Sequence, residues 1–274
     1  MGTKRIGLAR VEALLENLKR EINLSGSTMC AQLGACQGNF GAPPLVIDDD
    51  STVAAGTDEA IMVHQYADGL RLHVQNIGTQ TVLIPAAATT GMDYGYDGTN
   101  NEGVQWVASL NTHKGYPGVD RFTVGTHGAF YAELEFSIED VSGTDDCAFG
   151  FRKVEAEQAN LDDYDEMAVL NAVSGNIYIQ NILNDGDTLD HDTLKDWADG
   201  EVHTLRVDVS SAGVVTYKID GSAPTLSSTD SADGADTFTF DDGEVVTPFF
   251  YYINAAHVAG EVILRKVKWG LVEK

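Results

Sequence analysis

The chain has 274 residues, of which 43% are hydrophobic, so it can bury a sizeable core in one large domain or two small ones. It carries 17 basic and 42 acidic side chains, and the net charge of −25 argues against nucleic-acid binding because such a surface repels phosphates. No run of 18 apolar residues is present, which argues against membrane insertion. The first 20 residues lack the apolar segment of a secretory signal, and three cysteines, an odd count, favour free thiols in a reducing cytoplasm.

The negative charge is concentrated in the middle of the chain. Residues 25–260 hold 8 basic and 37 acidic side chains, whereas the segments before and after them each have a net charge of +2. This acidic surface is either a solvated coat that keeps the protein soluble or a surface for a divalent cation or a basic partner.

The first predicted element is a helix over residues 5–24. Its apolar residues recur at spacings of 3, 4, 3 and 4, which is a two-heptad seam: Leu8, Val11, Leu15, Leu18 and Ile22. Because an isolated helix of this length is marginally stable, the seam packs on its own domain or on another chain. We predict a helix for attachment or oligomerisation over residues 1–24.

Residues 25–44 are predicted to form a linker or extended arm. The segment is rich in Gly, Ser and Ala and ends in Pro43-Pro44, which is typical of chain that gains order only from what it lies on. The boundary between the helix and the following domain falls in this segment.

From Leu45 to the end, the sequence predicts short strands separated by turn signals every 8–15 residues, which is typical of a large antiparallel β-sandwich. No alternation of helices and strands is present, so a parallel α/β fold is disfavoured. The predicted strands are Ala60–Gln65, Leu70–Val74, Thr81–Ile84, Val104–Leu110, Arg121–Val124, Ala129–Ile138, Cys147–Lys153, Met167–Ala172, Asn176–Gln180, Thr237–Phe240, Val245–Ile253 and Glu261–Leu271, together with a hairpin.

That hairpin, Gly200 to Gly221, is the clearest element in the sequence. Apolar and polar residues alternate on both of its strands, and a Ser-Ser-Ala-Gly turn with Gly213 connects them. Since a lone hairpin is unstable in water, this one predicts a larger half-buried sheet, with the hairpin at its centre.

The run from Phe130 to Gly270 resembles the concanavalin A-like jelly roll of the laminin G and glucanase type. The residues that carry the resemblance are the strands AFYAELEFSI, AFGFRK and GEVILRKVKWG, and the phrase formed by Trp197, Asp199, Gly200, His203 and Leu205. The resemblance implies an all-β antiparallel jelly-roll sandwich over residues 45–274, with its core at about 129–272, and implies that the last strand returns to the interior of a sheet.

The opening MGTKRIGLARVEALLENLKREINL, joined to such a sandwich, resembles a type of marine tailed-phage virion protein. That resemblance implies a structural particle component of the capsid decoration or fibre type, made in the host cytoplasm and located in the virion. The implied partners are the major capsid protein or other virion proteins, and further copies of the chain, with a trimer favoured.

Glucanases of this fold carry several carboxylates on one face of a strand, spaced for nucleophilic and acid/base work. The nearest match here is Glu133-x-Glu135, with Ser137 where the third carboxylate would stand. The motif therefore fails, and we expect no enzymatic activity.

Acidic clusters are the candidates for a metal, because Ca²⁺ takes six to eight oxygen ligands from flexible loops. The best spacing belongs to four residues of one predicted loop: Asp185, Asp187, Asp190 and Asp192. A solvated charged loop is the alternative for these residues. No other cofactor is predicted, since zinc and nucleotide-binding motifs are missing from the sequence.

Aromatic residues in or beside predicted loops suggest a sugar-stacking surface: Tyr94, Tyr96, Trp106 and Tyr116. Aromatics in such positions also simply cap a core. The sequence therefore favours a non-enzymatic virion decoration protein attached through its N-terminal helix and arm. The alternative is a tail-fibre or head-fibre adhesin of the same fold that binds a host-surface glycan.

Overall fold

The computed structural model describes residues 103–108, 121–228, 237–254 and 262–272 in full, and between residues 35 and 93 it describes the bend at Gly91 and the strands named below. The predicted helix over residues 5–24 lies outside the described residues, as does its whole seam. Among the described residues, none belongs to a helix long and apolar enough to cross a membrane.

One sheet, sheet A, has the strand order β17-β16-β11-β19-β8-β7, and β1 also pairs with β19. All of its pairings are antiparallel. Its strands are β1 (Ala35–Asn39), β7 (Ala86–Ala87), β8 (Met92–Asp93), β11 (Phe130–Ile138), β16 (Val202–Val209), β17 (Val215–Ile219) and β19 (Val262–Leu271).

The second sheet, sheet B, has the order β15-β14-β13-β12-β18-β9-β5-β4-β2, and β10 also pairs with β18. Its strands are β2 (Leu45–Ile47), β4 (Asp58–Gln65), β5 (Asp68–Ile77), β9 (Gly103–Val107), β10 (Phe122–Thr123), β12 (Thr144–Lys153), β13 (Met167–Val173), β14 (Asn176–Ile182), β15 (Leu189–Asp196) and β18 (Val245–Asn254). A separate two-stranded ladder joins β3 (Val53–Ala54) and β6 (Val82–Leu83).

The core lies between the two sheets because alternate residues of each strand point inward. In β11 the inward residues Phe130, Ala132, Leu134 and Phe136 are all fully buried. Aromatic rings from both sheets interlock there, as where Phe136 of sheet A meets Phe250 of sheet B edge to face at 5.8 Å. The predicted all-β antiparallel jelly-roll sandwich is confirmed.

Three details of the prediction were wrong. The predicted strand Thr237–Phe240 is not a strand, because only an isolated bridge between Thr239 and Val214 forms there. The hairpin of β16 and β17 ends sheet A instead of forming its centre, because β11 and β19 lie to one side of it and β17 pairs with no further strand among the described residues. The acidic segment predicted as a loop around Asp190 contains strand β15, at the edge of sheet B. Its sequence LDHDTLKD is mostly polar because an edge strand buries few of its side chains.

Sheet B also buries part of its outer face, the face that points away from sheet A. Residues 154–165, which we call the strap, cross this face between β12 and β13 and include a short 3₁₀ helix, Leu161–Asp163. Beneath the strap lies a second apolar cluster that includes Val169, Phe249 and Tyr251. The Tyr251 hydroxyl donates to the Ala159 carbonyl of the strap at 2.6 Å. The strap therefore leaves one part of the outer face covered and another part open.

Candidate functional site

A hydrogen-bonded row of polar side chains crosses three strands on the outer face of sheet B. Asn171 of β13 donates to Asp146 of β12 at 2.6 Å and to Gln180 of β14 at 2.8 Å. Its side-chain oxygen accepts the backbone N–H of Cys147 at 2.8 Å. Asn171 is itself fully buried, so it holds the two outer side chains in one fixed arrangement. We call Asp146, Asn171 and Gln180 the polar row.

Strand alternation explains why these residues share a face. Leu170 and Ala172, on either side of Asn171, point into the core, so Asn171 points outward. On β14, Ile177 and Ile179 point into the core, so Gln180, the residue after Ile179, points outward. The row is thus built from polar residues at outward-pointing positions of neighbouring strands.

The polar row presents a hydrogen-bond acceptor beside a hydrogen-bond donor. The side chains of Asp146 and Gln180 are each half-buried, and within the described part of the chain each makes a hydrogen bond to Asn171 and to no other residue. The second oxygen of Asp146 and the amide nitrogen of Gln180 therefore remain available to a ligand. An adjacent acceptor and donor held rigidly on a surface match the paired hydroxyls of a sugar.

Burial changes the protonation of the row. Desolvation raises the pKa of Asp146 from 3.8 to about 6, the hydrogen bond from Asn171 opposes this, and the charges of Asp145 and Asp162 add to it. Asp146 is consequently a carboxylate at neutral pH that becomes protonated in mildly acidic solution. Its acceptor strength is therefore expected to change across this pH range.

Neighbouring strands extend the same face toward the edge of the sheet. Tyr178 pairs directly with Asn171 on one side and with Asp192 of β15 on the other. Gln180 pairs with Asp190. Tyr178 offers an aromatic ring beside the polar row, and the two aspartates make this side of the face acidic.

The structure places the four aspartates of the calcium prediction on two different elements. Asp190 and Asp192 lie on β15, whereas Asp185 and Asp187 lie in the preceding turn, where Asp185 has a positive φ of 56°. One oxygen of Asp192 accepts the backbone N–H of Leu194 at 2.8 Å. Among the described residues, no group of three or more His, Cys, Asp or Glu side chains is placed to hold a metal ion. The four aspartates do not converge because a strand and a turn separate them.

The glycan-stacking prediction was wrong for Trp106. Its side chain is 0% exposed and stacks on Phe250 with ring centres 5.9 Å apart, inside the core. Val104 and Trp106 point inward from β9, which is why a residue expected beside a loop belongs to the core. Tyr94, Tyr96 and Tyr116 lie outside the described residues.

The outer face of sheet A carries a different arrangement, a ladder of ion pairs. Glu133 contacts Arg206 at 3.2 Å and Lys268 at 2.9 Å, and Asp208 contacts Arg206 at 2.6 Å and Lys218 at 3.0 Å. The Arg206 guanidinium also lies 4.1 Å from the centre of the Tyr131 ring. Two anions thus hold three cations on this face.

This ladder does not suit glycoside hydrolysis. Burial alone raises the pKa of Glu133, but hydrogen bonds and charges from Lys268 and Arg206 outweigh it and lower the pKa. Burial likewise raises the pKa of Asp208, but hydrogen bonds and charges from Arg206 and Lys218 outweigh this effect and lower the pKa overall. A glycosidase needs one carboxylic acid with a raised pKa beside a carboxylate. The ion-paired Glu133 and Asp208 cannot supply that acid, which agrees with the failure of the sequence motif.

The sequence prediction missed the polar row. It searched for carboxylates two residues apart on one strand, whereas Asp146, Asn171 and Gln180 lie on three strands whose register the sequence does not display. A usable signal was present in the isolated Asn171 within the apolar run MAVLNAV. A buried polar residue in such a run requires partners, and its partners define the row.

No protein-family model matches the chain, and no curated protein matches it in sequence. Among solved structures, it is similar to the carbohydrate recognition domain of Emp47p, at 12% identity and a TM-score of 0.50, with 82% of this chain and 97% of that chain covered. The potassium-bound carbohydrate recognition domain of Emp46p is 10% identical with a TM-score of 0.48, covering 73% of this chain and 89% of that chain. An alginate lyase from Corynebacterium sp. is 12% identical with a TM-score of 0.43, covering 68% and 79%. At these identities the first likeness shows the fold alone.

Proposed function

We propose that the sandwich is a non-enzymatic carbohydrate-binding domain of the adhesin type, with its sugar contact at the polar row. The observation that carries the proposal is the fixed pair formed by the Asp146 carboxylate and the Gln180 amide, both positioned by Asn171. A sugar hydroxyl would donate to Asp146 while a neighbouring hydroxyl accepts from Gln180. The ring of Tyr178 lies beside the pair for an apolar contact.

The charge of the face indicates which sugars bind. Asp146, Asp190 and Asp192 make the surface at the polar row acidic, so the row repels carboxylated or sulfated glycans and favours neutral or amino sugars. The likeness to the carbohydrate recognition domain of Emp47p supports the fold on which such a site is built.

A glycan array with the full chain tests this proposal. The wild type is expected to bind a set of neutral or amino-sugar glycans, and Asp146→Asn is expected to lose most of that signal because the amide keeps the shape but removes the charged acceptor. Glu135→Gln on the outer face of sheet A is the matched control and should keep wild-type binding. An array with no glycan bound, or an Asp146→Asn signal equal to that of the wild type, would contradict the proposal.

We also propose that the segment before β1 attaches the sandwich to a particle, as in a virion decoration protein bound to a major capsid protein or another virion protein. The supporting observation is that β1, the strand that follows this segment, pairs with β19 in sheet A, with Cys36 opposite Trp269. Sheet A is the sheet that does not carry the polar row. Attachment through a segment that continues into sheet A therefore leaves the polar row of sheet B accessible to a glycan.

Deletion of residues 1–34 tests the attachment. The shortened chain retains β1, so its thermal unfolding should match that of the full chain within about 2 °C while co-sedimentation with particles and any oligomer are lost. A shortened chain that still sediments with particles and keeps the same oligomeric state would refute this role of the segment.

A further inference from the structure

Arg152 is an unusual buried cation on the outer face of sheet B. Its side chain is 1% exposed and lies beneath the strap, with the guanidinium carbon 4.7 Å from the centre of the Tyr164 ring and 5.8 Å from that of Phe249. Its Nη1 donates to the backbone carbonyls of Lys153 at 2.9 Å and Glu155 at 3.1 Å. Its Nε and Nη2 groups are buried and have no hydrogen-bond partner.

The Nε and Nη2 groups of Arg152, which have no partner, can donate together to one ligand group. The N–H bonds of Nε and Nη2 run parallel along one edge of a guanidinium and fit the two oxygens of a single carboxylate. Arg206 of the same protein shows this pairing, since its Nε lies 3.0 Å from both oxygens of Asp208 and its Nη2 lies 2.6 Å from one of them. On Arg152 no described protein group forms a hydrogen bond with the equivalent edge, although protein atoms cover it.

An unpaired guanidinium in this position is costly. Arginine stays protonated in proteins, and a buried charge without a counter-charge carries a desolvation penalty that hydrogen bonds to two carbonyls offset only in part. Burial raises the pKa of Glu155, and the positive charge of Arg152 partly offsets that rise. The Oε1 atom of Glu155 accepts the backbone N–H of Asp165 at 3.0 Å, and within the described residues Glu155 forms no ion pair with Arg152. The strap therefore supplies aromatic and carbonyl contacts to Arg152, but within the described residues it places no carboxylate in hydrogen-bond contact with the Nε–Nη2 edge.

We propose that the Nε–Nη2 edge of Arg152 is a binding subsite for a carboxylate group, carried either by a small free acid or by a uronic acid. The ligand enters when the strap lifts, which requires breaking the hydrogen bonds that the carbonyls of Glu155, Gln158 and Ala159 accept. Arg152 lies six residues from Asp146 along β12, or roughly 20 Å, so this subsite is separate from the polar row and does not depend on its function.

Thermal unfolding of the full chain at pH 7 tests the subsite, with sodium acetate compared against sodium chloride at the same ionic strength. We expect a saturable rise in Tm specific to acetate, about 3 °C at ten times its Kd. Glucuronate should act in the same way if a uronic acid fits, and glucose should not act. Arg152→Lys keeps the positive charge but loses the two parallel N–H donors, so it should bind acetate at least about tenfold more weakly. Arg206→Lys is the control and should keep the response.

The wild type alone decides the question if Arg152→Lys fails to fold. A response to acetate and glucuronate supports a subsite that accepts acidic sugars, and a response to acetate alone supports one that accepts only small free acids. Equal Tm values in acetate and chloride would overturn the proposal. So would a crystal structure grown in acetate with only water at the Nε–Nη2 edge.

Discussion

Replacing Glu166 by glutamine should stabilise the protein at alkaline pH. Glu166 is 0% exposed at the start of β13, where its Oε1 accepts the backbone N–H of Asp241 at 3.5 Å and its Oε2 has no partner. Burial and the negative charges of Glu244 and Asp241 raise its pKa from 4.5 to about 7, against the hydrogen bond from Asp241 and the charge of Lys153. The folded protein therefore binds this proton more tightly than the unfolded chain does.

The sign and size of the effect follow from that difference. Because the folded-state pKa is higher, the contribution of Glu166 to stability is largest below pH 4.5 and is lost as the pH rises through 7. At about 1.36 kcal/mol for each tenfold change in proton affinity, the loss at pH 8 is roughly 3 kcal/mol. Glutamine carries no charge at any of these pH values, so Glu166→Gln should be roughly 2–3 kcal/mol more stable than the wild type at pH 8 and about equal to it near pH 4.

Guanidinium unfolding of both proteins between pH 4 and pH 8.5 measures this directly. Glu133→Gln is a control of opposite sign, because Lys268 and Arg206 lower the pKa of Glu133 and its ionised form stabilises the fold. That variant should be less stable than the wild type at pH 8, and the difference should shrink in acid. Stability profiles of Glu166→Gln and wild type that run parallel within about 0.5 kcal/mol would refute the reasoning.

Three further substitutions test the packing and the polar row. Trp106→Ala should lower the free energy of unfolding by about 3–5 kcal/mol, as expected for a fully buried side chain and not for a surface one, and a loss below 1 kcal/mol in chemical denaturation would contradict its place in the core. Leu194→Gly should raise the free energy of unfolding by roughly 0.5–1 kcal/mol, because Leu194 is 58% exposed and has a φ of 52° that glycine adopts without strain, and thermal unfolding with a lower Tm would argue against it. Asn171→Ala should cost about 2–3 kcal/mol in denaturant unfolding, since it leaves the buried Cys147 N–H without its acceptor, and an unchanged midpoint would show that the row is not held as described.

Alternation along a single strand could be read from the sequence. The inward and outward residues of β11, β16 and β17 follow the predicted pattern, because one face of each strand packs on the core and the other meets solvent. The edge strand β15 escaped detection for the same physical reason, since few of its side chains are buried and its sequence is therefore polar. The sequence pattern thus predicts the strands that bury one face in the core. It misses a strand such as β15, which is held mainly by pairing with its neighbour.

The candidate site depends on relations between strands, which the sequence does not display. Asp146 and Gln180 are 34 positions apart, and only the register of β12, β13 and β14 brings both to Asn171. The same holds for Arg152, because only the structure shows that the strap covers it and that its Nε and Nη2 groups are buried without a hydrogen-bond partner among the described residues. Trp106 shows the converse, since the sequence placed it beside a loop whereas it lies on β9 and is buried in the core.

The most direct test of the glycan site is the pH dependence of binding, measured by titration calorimetry with a glycan selected on the array. If the ionised form of Asp146 is the one that binds, a pKa of about 6 predicts that Kd is roughly tenfold weaker at pH 5 than at pH 7.5. Asp146→Asn should bind more weakly at pH 7.5, and its Kd should be the same at both pH values. A wild-type Kd that does not change between pH 5 and pH 7.5, or an Asp146→Asn variant with the wild-type Kd, would contradict the assignment of the polar row as the sugar-binding site.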